Sequence, residues 1–154
     1  MTRATLSLIA LVSANSALAA QAPAFAGTWQ LSYPRGTMIE NGEATVLWGT
    51  GVLSIATQGD SLIGTLTGDP APDMPPRPPA RLAGKASTGE TTFVSYSEAT
   101  LNMNGETKTA TVVSTWTLAV KGDSLVGTVA RKLQGYDMGD DQPAQPVTGT
   151  RKKG

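Results

Sequence analysis

The sequence predicts an all-β fold, specifically an antiparallel up-and-down barrel of about eight strands. Three observations support this prediction. No apolar repeat of helical period is sustained beyond the N-terminal segment, short alternating segments recur between turn residues, and one strand–turn–strand unit occurs twice. The 17 glycines and 10 prolines suit a chain with many turns. The same pattern is also compatible with an open β-sandwich, which is the alternative.

The N-terminal residues 1–19 have the features of an export signal. Arg3 supplies a positive charge, the apolar run LSLIALV follows, and Ala17 and Ala19 frame a small-residue cleavage site. The run is far shorter than the roughly 20 residues that span a bilayer, so cleavage is expected rather than retention as an anchor. We therefore expect residues 20–154 to form one β-barrel domain with no membrane span.

Charge and residue types exclude several classes of function. The chain has 12 basic and 12 acidic residues. Because there is no excess of positive charge, a nucleic-acid partner is not expected. It has no histidine, which removes the commonest general base and the usual zinc ligand. It has no cysteine, which fits a bacterial periplasmic or extracellular protein. These features predict a non-enzymatic protein with no catalytic residues, metal or other cofactor.

An internal repeat sets the strand register. The segment LSIATQGDSLIGTL at 53–66 recurs as WTLAVKGDSLVGTV at 116–129. In each copy a Gly-Asp pair separates two strands, and glycine suits the positive φ at the first central position of a type II′ turn. In each copy a further glycine, Gly64 or Gly127, faces a large aliphatic residue, which lets a barrel wall bend. Closing the turns at these pairs predicts these interior positions: Leu53, Ile55, Leu62, Leu66, Trp116, Leu118, Val120, Leu125 and Val129.

The remaining strands are predicted from shorter patterns. The strand-like segments are 27–33, 81–86, 91–100, 108–120 and 147–152. Between the first of them and the repeat, residues 34–48 are expected to form a loop. Together with the repeat hairpins, the segments give about eight strands. At that number a barrel interior is filled by side chains or holds one small ligand.

Two long loops are candidates for contact with a partner. A proline-rich segment begins at Pro70 and ends at Pro79; it is expected to be a stiff connection, with recognition of a protein partner as the alternative. The second loop, 133–146, is acidic and contains Asp137, Asp140 and Asp141. Its carboxylates suit calcium, but their spacing is not that of a known calcium loop, so a solvated loop is expected there.

The start of the first strand resembles a known superfamily. The motif Gly-Thr-Trp that ends at Trp29 is similar to the Gly-x-Trp opening of the calycin barrels, which include the lipocalins, the fatty-acid-binding proteins and the avidins. Size and the segment STWTL at 114–118 make the chain most similar to the avidins. The resemblance implies that Trp29 closes one barrel end beneath a basic side chain of the last strand. Arg151 is the first candidate for that role and Arg131 the second.

Four aromatic residues are the predicted ligand contacts. Trp29 and Trp116 fall on apolar strand faces, where a core role competes with ligand contact, and Tyr33 shares the face of Trp29. Trp48 lies near a loop, where it either lines the barrel mouth or plugs the barrel end. We expect an exported binding protein that holds a small, largely apolar molecule in or at the mouth of the barrel. The alternative is a protein-interaction or inhibitor module that acts through the long loops. Small bacterial metalloprotease inhibitors, whose barrel is related, are similar in their Gly-x-Trp start.

Overall fold

Eight β-strands make up the fold of this computed structural model, which describes residues 24–41, 43–72, 76–87, 89–135 and 143–153. The strands are β1 (Gly27–Glu40), β2 (Glu43–Gln58), β3 (Ser61–Gly68), β4 (Ala80–Lys85), β5 (Thr91–Met103), β6 (Glu106–Lys121), β7 (Ser124–Leu133) and β8 (Gln145–Arg151). The export signal predicted for residues 1–19 lies outside the described residues. So do the three loop acids Asp137, Asp140 and Asp141.

The strands form one closed antiparallel barrel in chain order. The last strand, β8, pairs back to β1, with Arg151 opposite Trp29. This pairing confirms the predicted up-and-down barrel and excludes the open sandwich. Each strand has a neighbour on both sides, so the body of the barrel presents no continuous free sheet edge.

The two repeat hairpins have the predicted register. Leu53 pairs with Leu66, and the second copy matches the first residue for residue. The turn glycines Gly59 and Gly122 both have a φ of 63°, as a type II′ turn requires at its first central residue. Every predicted interior position but one is buried, and the exception, Val120, is partly buried against the others.

The loop expected at 34–48 is wrong, because β1 and β2 continue through it as a long hairpin. Their pairing extends to Glu40 and Glu43. The connection contains Asn41 with a φ of 52°, a left-handed conformation that asparagine tolerates better than most residues. Pro34 fits within β1 because β8 pairs only with the first half of that strand, where no proline lies.

A second long hairpin joins β5 and β6 and also exceeds its predicted limits of 100 and 108. The two strands pair as far as Met103 and Glu106. Asn104 and Gly105 have φ values of 54° and 81°, and two positive values in succession define a type I′ turn. The Asn-Gly dipeptide is itself a strong hairpin signal, so this turn was visible in the sequence.

Strand direction gives the barrel two unlike ends. Because neighbouring strands are antiparallel, the β1–β2, β3–β4, β5–β6 and β7–β8 connections all leave from one end, which we call the loop end. The loop end carries both long hairpins and the proline-rich segment. The opposite end, which we call the closed end, carries the two repeat turns, the β4–β5 connection and residues 24–26.

Buried apolar side chains fill the barrel interior. Near the closed end, Phe25 and Phe93 meet edge to face with ring centroids 5.7 Å apart, a separation at which aromatic pairs are favourable. The core cluster comprises Phe25, Trp29, Leu31, Tyr33, Leu53, Ile55, Leu62, Leu66, Leu82, Phe93, Trp116, Leu118, Leu125, Val129 and Val147. The barrel body is therefore a packed core, and the barrel ends are the places to look for a site.

Candidate functional site

Trp29 seals the closed end. Its side chain is fully buried, and its Nε1 donates a 2.9 Å hydrogen bond to the main-chain oxygen of Phe25. The Arg151 guanidinium lies 4.2 Å from the centroid of the Trp29 ring and donates to the main-chain oxygens of Ala24 and Ala26. The packing of a last-strand cation over Trp29 is therefore present, with Arg151 in that place.

Tyr33 and Trp116 form an aromatic pair on the loop-end side of the core. Their ring centroids are 6.0 Å apart and the rings are tilted by 56°. The indole Nε1 of Trp116 donates a 3.0 Å hydrogen bond to Oγ of Ser95, which fixes the indole in place. Tyr33 follows Trp29 and Leu31 along the interior face of β1, so this pair is the floor beneath the loop end.

A β-bulge places Arg35 at the rim of the loop end. The register between β1 and β2 shifts between Pro34 and Gly36, which leaves Arg35 without a partner on β2. Bulges of this kind re-aim a side chain and are frequent at barrel rims. Arg35 is only 9% exposed despite its charge, and its Nη1 donates a 2.8 Å hydrogen bond to the main-chain oxygen of Asp69.

Three glycines make room for the side chains of Tyr33 and Arg35. A Cβ atom at Gly49 would lie 1.8 Å from Cδ of Arg35, and one at Gly68 would lie 2.9 Å from the Tyr33 hydroxyl. A Cβ atom at Gly51 would lie 2.7 Å from a main-chain oxygen of β3 and 3.2 Å from the Tyr33 ring. Both side chains therefore lie directly on the backbones of β2 and β3, as bare glycine positions allow.

Three guanidinium groups gather on one short stretch of main chain. Arg131 of β7 donates a hydrogen bond to the main-chain oxygen of Pro34. Arg77, in the proline-rich segment, donates a 3.1 Å hydrogen bond to the main-chain oxygen of Arg35. Arg35, Arg77 and Arg131 thus come from the bulge, a loop and a distant strand, and we call them the arginine cluster.

The carboxylate of Asp69, which lies in the same part of the molecule, is hydrogen-bonded to neutral side chains rather than to the arginine cluster. Its Oδ2 accepts hydrogen bonds from Oγ1 of Thr50 at 2.6 Å and from Nε2 of Gln30 at 3.4 Å. Arg35 contacts the main-chain oxygen of Asp69 and not its carboxylate. Among the described residues, the ion pairs involve none of the three arginines.

Burial dominates the electrostatics of this site. It raises the pKa of the Tyr33 phenol, although the positive charges of Arg35 and Arg131 act in the opposite direction. Burial, followed by the nearby charge of Arg77, lowers the pKa of the Arg131 guanidinium. The charged form of Arg131 is therefore less well stabilised here than in water, which makes the site favourable for an anion.

Tyr33 gives the site a pH signature. Because its folded-state pKa exceeds the unfolded value of about 10, its contribution to the free energy of unfolding is complete below that pH. The contribution is lost as pH rises through the folded-state pKa. We expect Tyr33→Phe to reduce this alkaline loss and to remove a phenolate transition above pH of about 10 from the ultraviolet titration. An unchanged titration in the variant would contradict the buried, neutral phenol.

The four predicted ligand contacts do not form one site. Trp29 lies at the closed end, whereas Tyr33 and Trp116 pair beneath the loop end. Trp48 is 51% exposed and lies within β2, where it alternates with the inward-facing Gly49. Trp48 is therefore on the outer face of the barrel wall, away from the buried pair.

A cavity of about 270 Å³ adjoins the arginine cluster. It is lined by Arg35, Gly68, Asp69, Pro70, Ala71, Pro76 and Arg77. A second cavity, of about 410 Å³, lies on the outer wall where β1, β7 and β8 meet and includes Gln30, Ser32 and Thr148. Only the first of these two cavities has charged side chains in its lining.

Two further properties concern the described ranges alone. There, no group of three or more His, Cys, Asp or Glu side chains is placed to hold a metal ion. In the same ranges, no helix has the length and apolar character needed to cross a membrane. The absence of a metal or other cofactor remains a prediction from the sequence.

Comparison with known proteins assigns no family to the chain. No protein-family model, no curated protein and no solved structure matches it. The fold, the two barrel ends and the arginine cluster are therefore the basis for proposing a function.

Sequence reasoning missed the arginine cluster. It gave Arg35 and Arg77 no role, and it named Arg131 only as the second candidate for packing over Trp29. That alternative is wrong, because Arg131 lies at the loop end and Arg151 packs over Trp29. A proline and a glycine flank Arg35 directly after the strand-like segment 27–33, and these residues are recognised signals of a bulge where a strand continues. No comparable local signal marks Arg77 or Arg131.

Proposed function

We propose that this chain is an exported, non-enzymatic binding protein that holds a small, largely apolar molecule at its loop end. The observation that supports the proposal is the contrast between the two ends of the barrel. Trp29 and Arg151 seal one end, whereas the Tyr33–Trp116 pair lies beneath the other, where the long connections leave. Binding sites in small barrels occur at such mouths.

The proposed family and compartment have separate support. The Gly-Thr-Trp motif, the closed eight-stranded barrel and the packing of Arg151 over Trp29 together favour a calycin-like protein, most similar to the avidins. The signal-like residues 1–19 and the absence of cysteine favour a bacterial periplasmic or extracellular location. On this proposal the exported protein has neither a membrane span nor a nucleic-acid partner.

Titration with a neutral apolar dye tests the proposal. N-phenyl-1-naphthylamine is added to isotopically labelled protein, and main-chain amide resonances are followed by NMR. We expect saturable shifts at Leu66, Gly68 and Trp116, near the loop end. The turn residues Gly59 and Gly122, at the closed end, serve as internal controls and should not move. Dye binding confined to the closed end, or absent, would contradict the proposal.

A second candidate function is docking of a protein partner at the loop end. The observation that favours it is that the large exposed apolar side chains among the described residues, Met38, Trp48 and Tyr96, all lie on the two long hairpins. The proline-rich segment from Pro70 to Pro79 connects strands at the same end, and its composition favours a stiff contact surface. An inhibitor or interaction module would use these features together.

Trp48→Ala tests which of the two functions Trp48 serves. Because Trp48 is half exposed, we expect the free energy of unfolding to change by about 1 kcal/mol or less. The ligand-binding role predicted for Trp48 requires a severalfold loss of dye affinity in this variant. Full dye affinity together with loss of a protein partner would instead assign Trp48 to docking. Unfolding of the variant would contradict both roles, and chemical denaturation provides that check.

A further inference from the structure

Two of the three guanidiniums in the arginine cluster are buried or partly buried. None of the described carboxylates forms an ion pair with them. Arg35 is 9% exposed, and Arg131 is only partly exposed. The hydrogen bonds described for both go to neutral main-chain oxygens. Burying a charge is unfavourable unless an opposite charge accompanies it. Within the described part of the chain, that opposite charge is missing.

The main-chain contacts leave donors free in each guanidinium. An arginine side chain has five N–H donors, and the bonds described here use one apiece on Arg35, Arg77 and Arg131. The bulge, the glycine cradle and the carbonyls of residues 34–35 hold these side chains in place before any ligand arrives. Such preorganisation reduces the entropy lost on binding.

The cavity beside the cluster is large enough to accommodate a small anionic group. Its volume is about 270 Å³, slightly below the lower limit of about 300 Å³ that is usual for drug-sized ligands. Arg35 and Arg77 line it directly, whereas Arg131 lies behind them on the main chain of Pro34. Asp69 also lines the cavity, and Oδ2 of its carboxylate is engaged by hydrogen bonds from Thr50 and Gln30 rather than by the arginines.

We infer that this cavity binds a phosphate or sulfate group, with Arg35 and Arg77 as direct contacts and Arg131 as a supporting positive charge. A tetrahedral oxyanion presents oxygens in several directions, which suits guanidiniums that arrive from different elements. The inference rests on the proposed function in one respect, namely that a small ligand binds at the loop end. It gives the small, apolar ligand at the loop end an anionic group that the arginines recognise.

Phosphate titration of the exported protein tests the inference. Sodium phosphate is added to labelled protein against sodium chloride at equal ionic strength, with NMR detection. We expect saturable shifts at the amides of Arg35, Gly68 and Arg77 with phosphate but not with chloride. The absence of saturation with phosphate, or an equal response to chloride, would overturn the inference.

Charge-removing variants test which arginines act. Hydrogen bonds to charged groups are stronger than those between neutral groups. We therefore expect Arg77→Gln to weaken phosphate binding by about 10- to 100-fold. Arg131→Gln should weaken it only severalfold, since this side chain makes no direct contact. Arg81→Gln is the matched control, because Arg81 is exposed on β4 and outside the cavity lining. Equal affinities for Arg77→Gln and Arg81→Gln would overturn the assignment.

Phenyl phosphate separates the failure of this inference from failure of the proposed function. Tighter binding of phenyl phosphate than of inorganic phosphate supports an apolar ligand with an anionic group. Equal binding of the two supports the anion site while contradicting the apolar ligand. Dye binding at the loop end without any response to either phosphate overturns the anion site and leaves the proposed function standing.

Discussion

Trp29→Ala is expected to lower the free energy of unfolding by about 3–5 kcal/mol, the range for truncating a large buried aromatic side chain. Trp29 has no exposed surface, and its indole links β1 to the segment that covers the closed end. Truncation leaves a cavity and removes the ring on which the Arg151 guanidinium lies. Guanidinium denaturation followed by circular dichroism measures the change.

Two variants show whether this loss comes from Trp29 itself. Trp29→Phe keeps an aromatic ring beneath Arg151 but loses the hydrogen bond to Phe25, so a smaller loss is expected than for alanine. Trp48→Ala removes the same side chain type from an exposed position and should leave stability nearly unchanged. Equal stability losses in Trp29→Ala and Trp48→Ala would contradict the sealed closed end.

Gly127→Ala is expected to destabilise the protein by about 3 kcal/mol, at the upper end of the usual cost of overpacking. A Cβ atom at this position would lie 1.9 Å from the main-chain oxygen of Thr117 and 2.9 Å from Cα of Leu118. Both contacts are with the backbone of β6, so neither is relieved by a change of rotamer. The β6–β7 pairing itself has to move, and thermal or chemical denaturation will show the loss.

Gly64→Ala is the matched control from the other copy of the repeat. Its Cβ atom would lie 3.0 Å from Cδ1 of Leu53, the flexible end of a side chain, and 3.4 Å from Cβ of Leu82. Since alanine also restricts the unfolded chain, the net change should stay within about 1 kcal/mol of zero. A loss as large as that of Gly127→Ala would mean that both repeat hairpins tolerate an added Cβ atom equally poorly. That result would contradict the contacts described for the two glycines.

The fold was predictable because its strongest signals are local. The Gly-Asp pairs set the register of two hairpins, and a shift by one residue would have exchanged their buried and exposed faces. The long hairpins were predicted too short because residues 34–48 were expected to form a loop and the turn at Asn104 was not used. In the structure, the half of β1 that does not pair with β8 accommodates Pro34, and Asn104 adopts the left-handed conformation of a type I′ turn.

The candidate site was much less predictable, because tertiary structure assembles it. Tyr33 and Trp116 were both named from apolar strand faces, but their contact depends on closure of the barrel. Arg35 depends on a bulge, and Arg77 and Arg131 reach the same main chain from elements far apart in sequence. The overall charge of zero also gave no indication of the cluster, because composition does not show which charged residues lie close together in the fold.

Native mass spectrometry of the protein, purified without denaturant, tests the central claim most directly. The claim is that the loop end holds a small molecule with an anionic group. We predict a reproducible extra mass that is lost on collisional activation and is much reduced in Arg77→Gln but retained in Arg81→Gln. The bare chain mass in every preparation, under conditions that preserve known protein–ligand complexes, would contradict the claim.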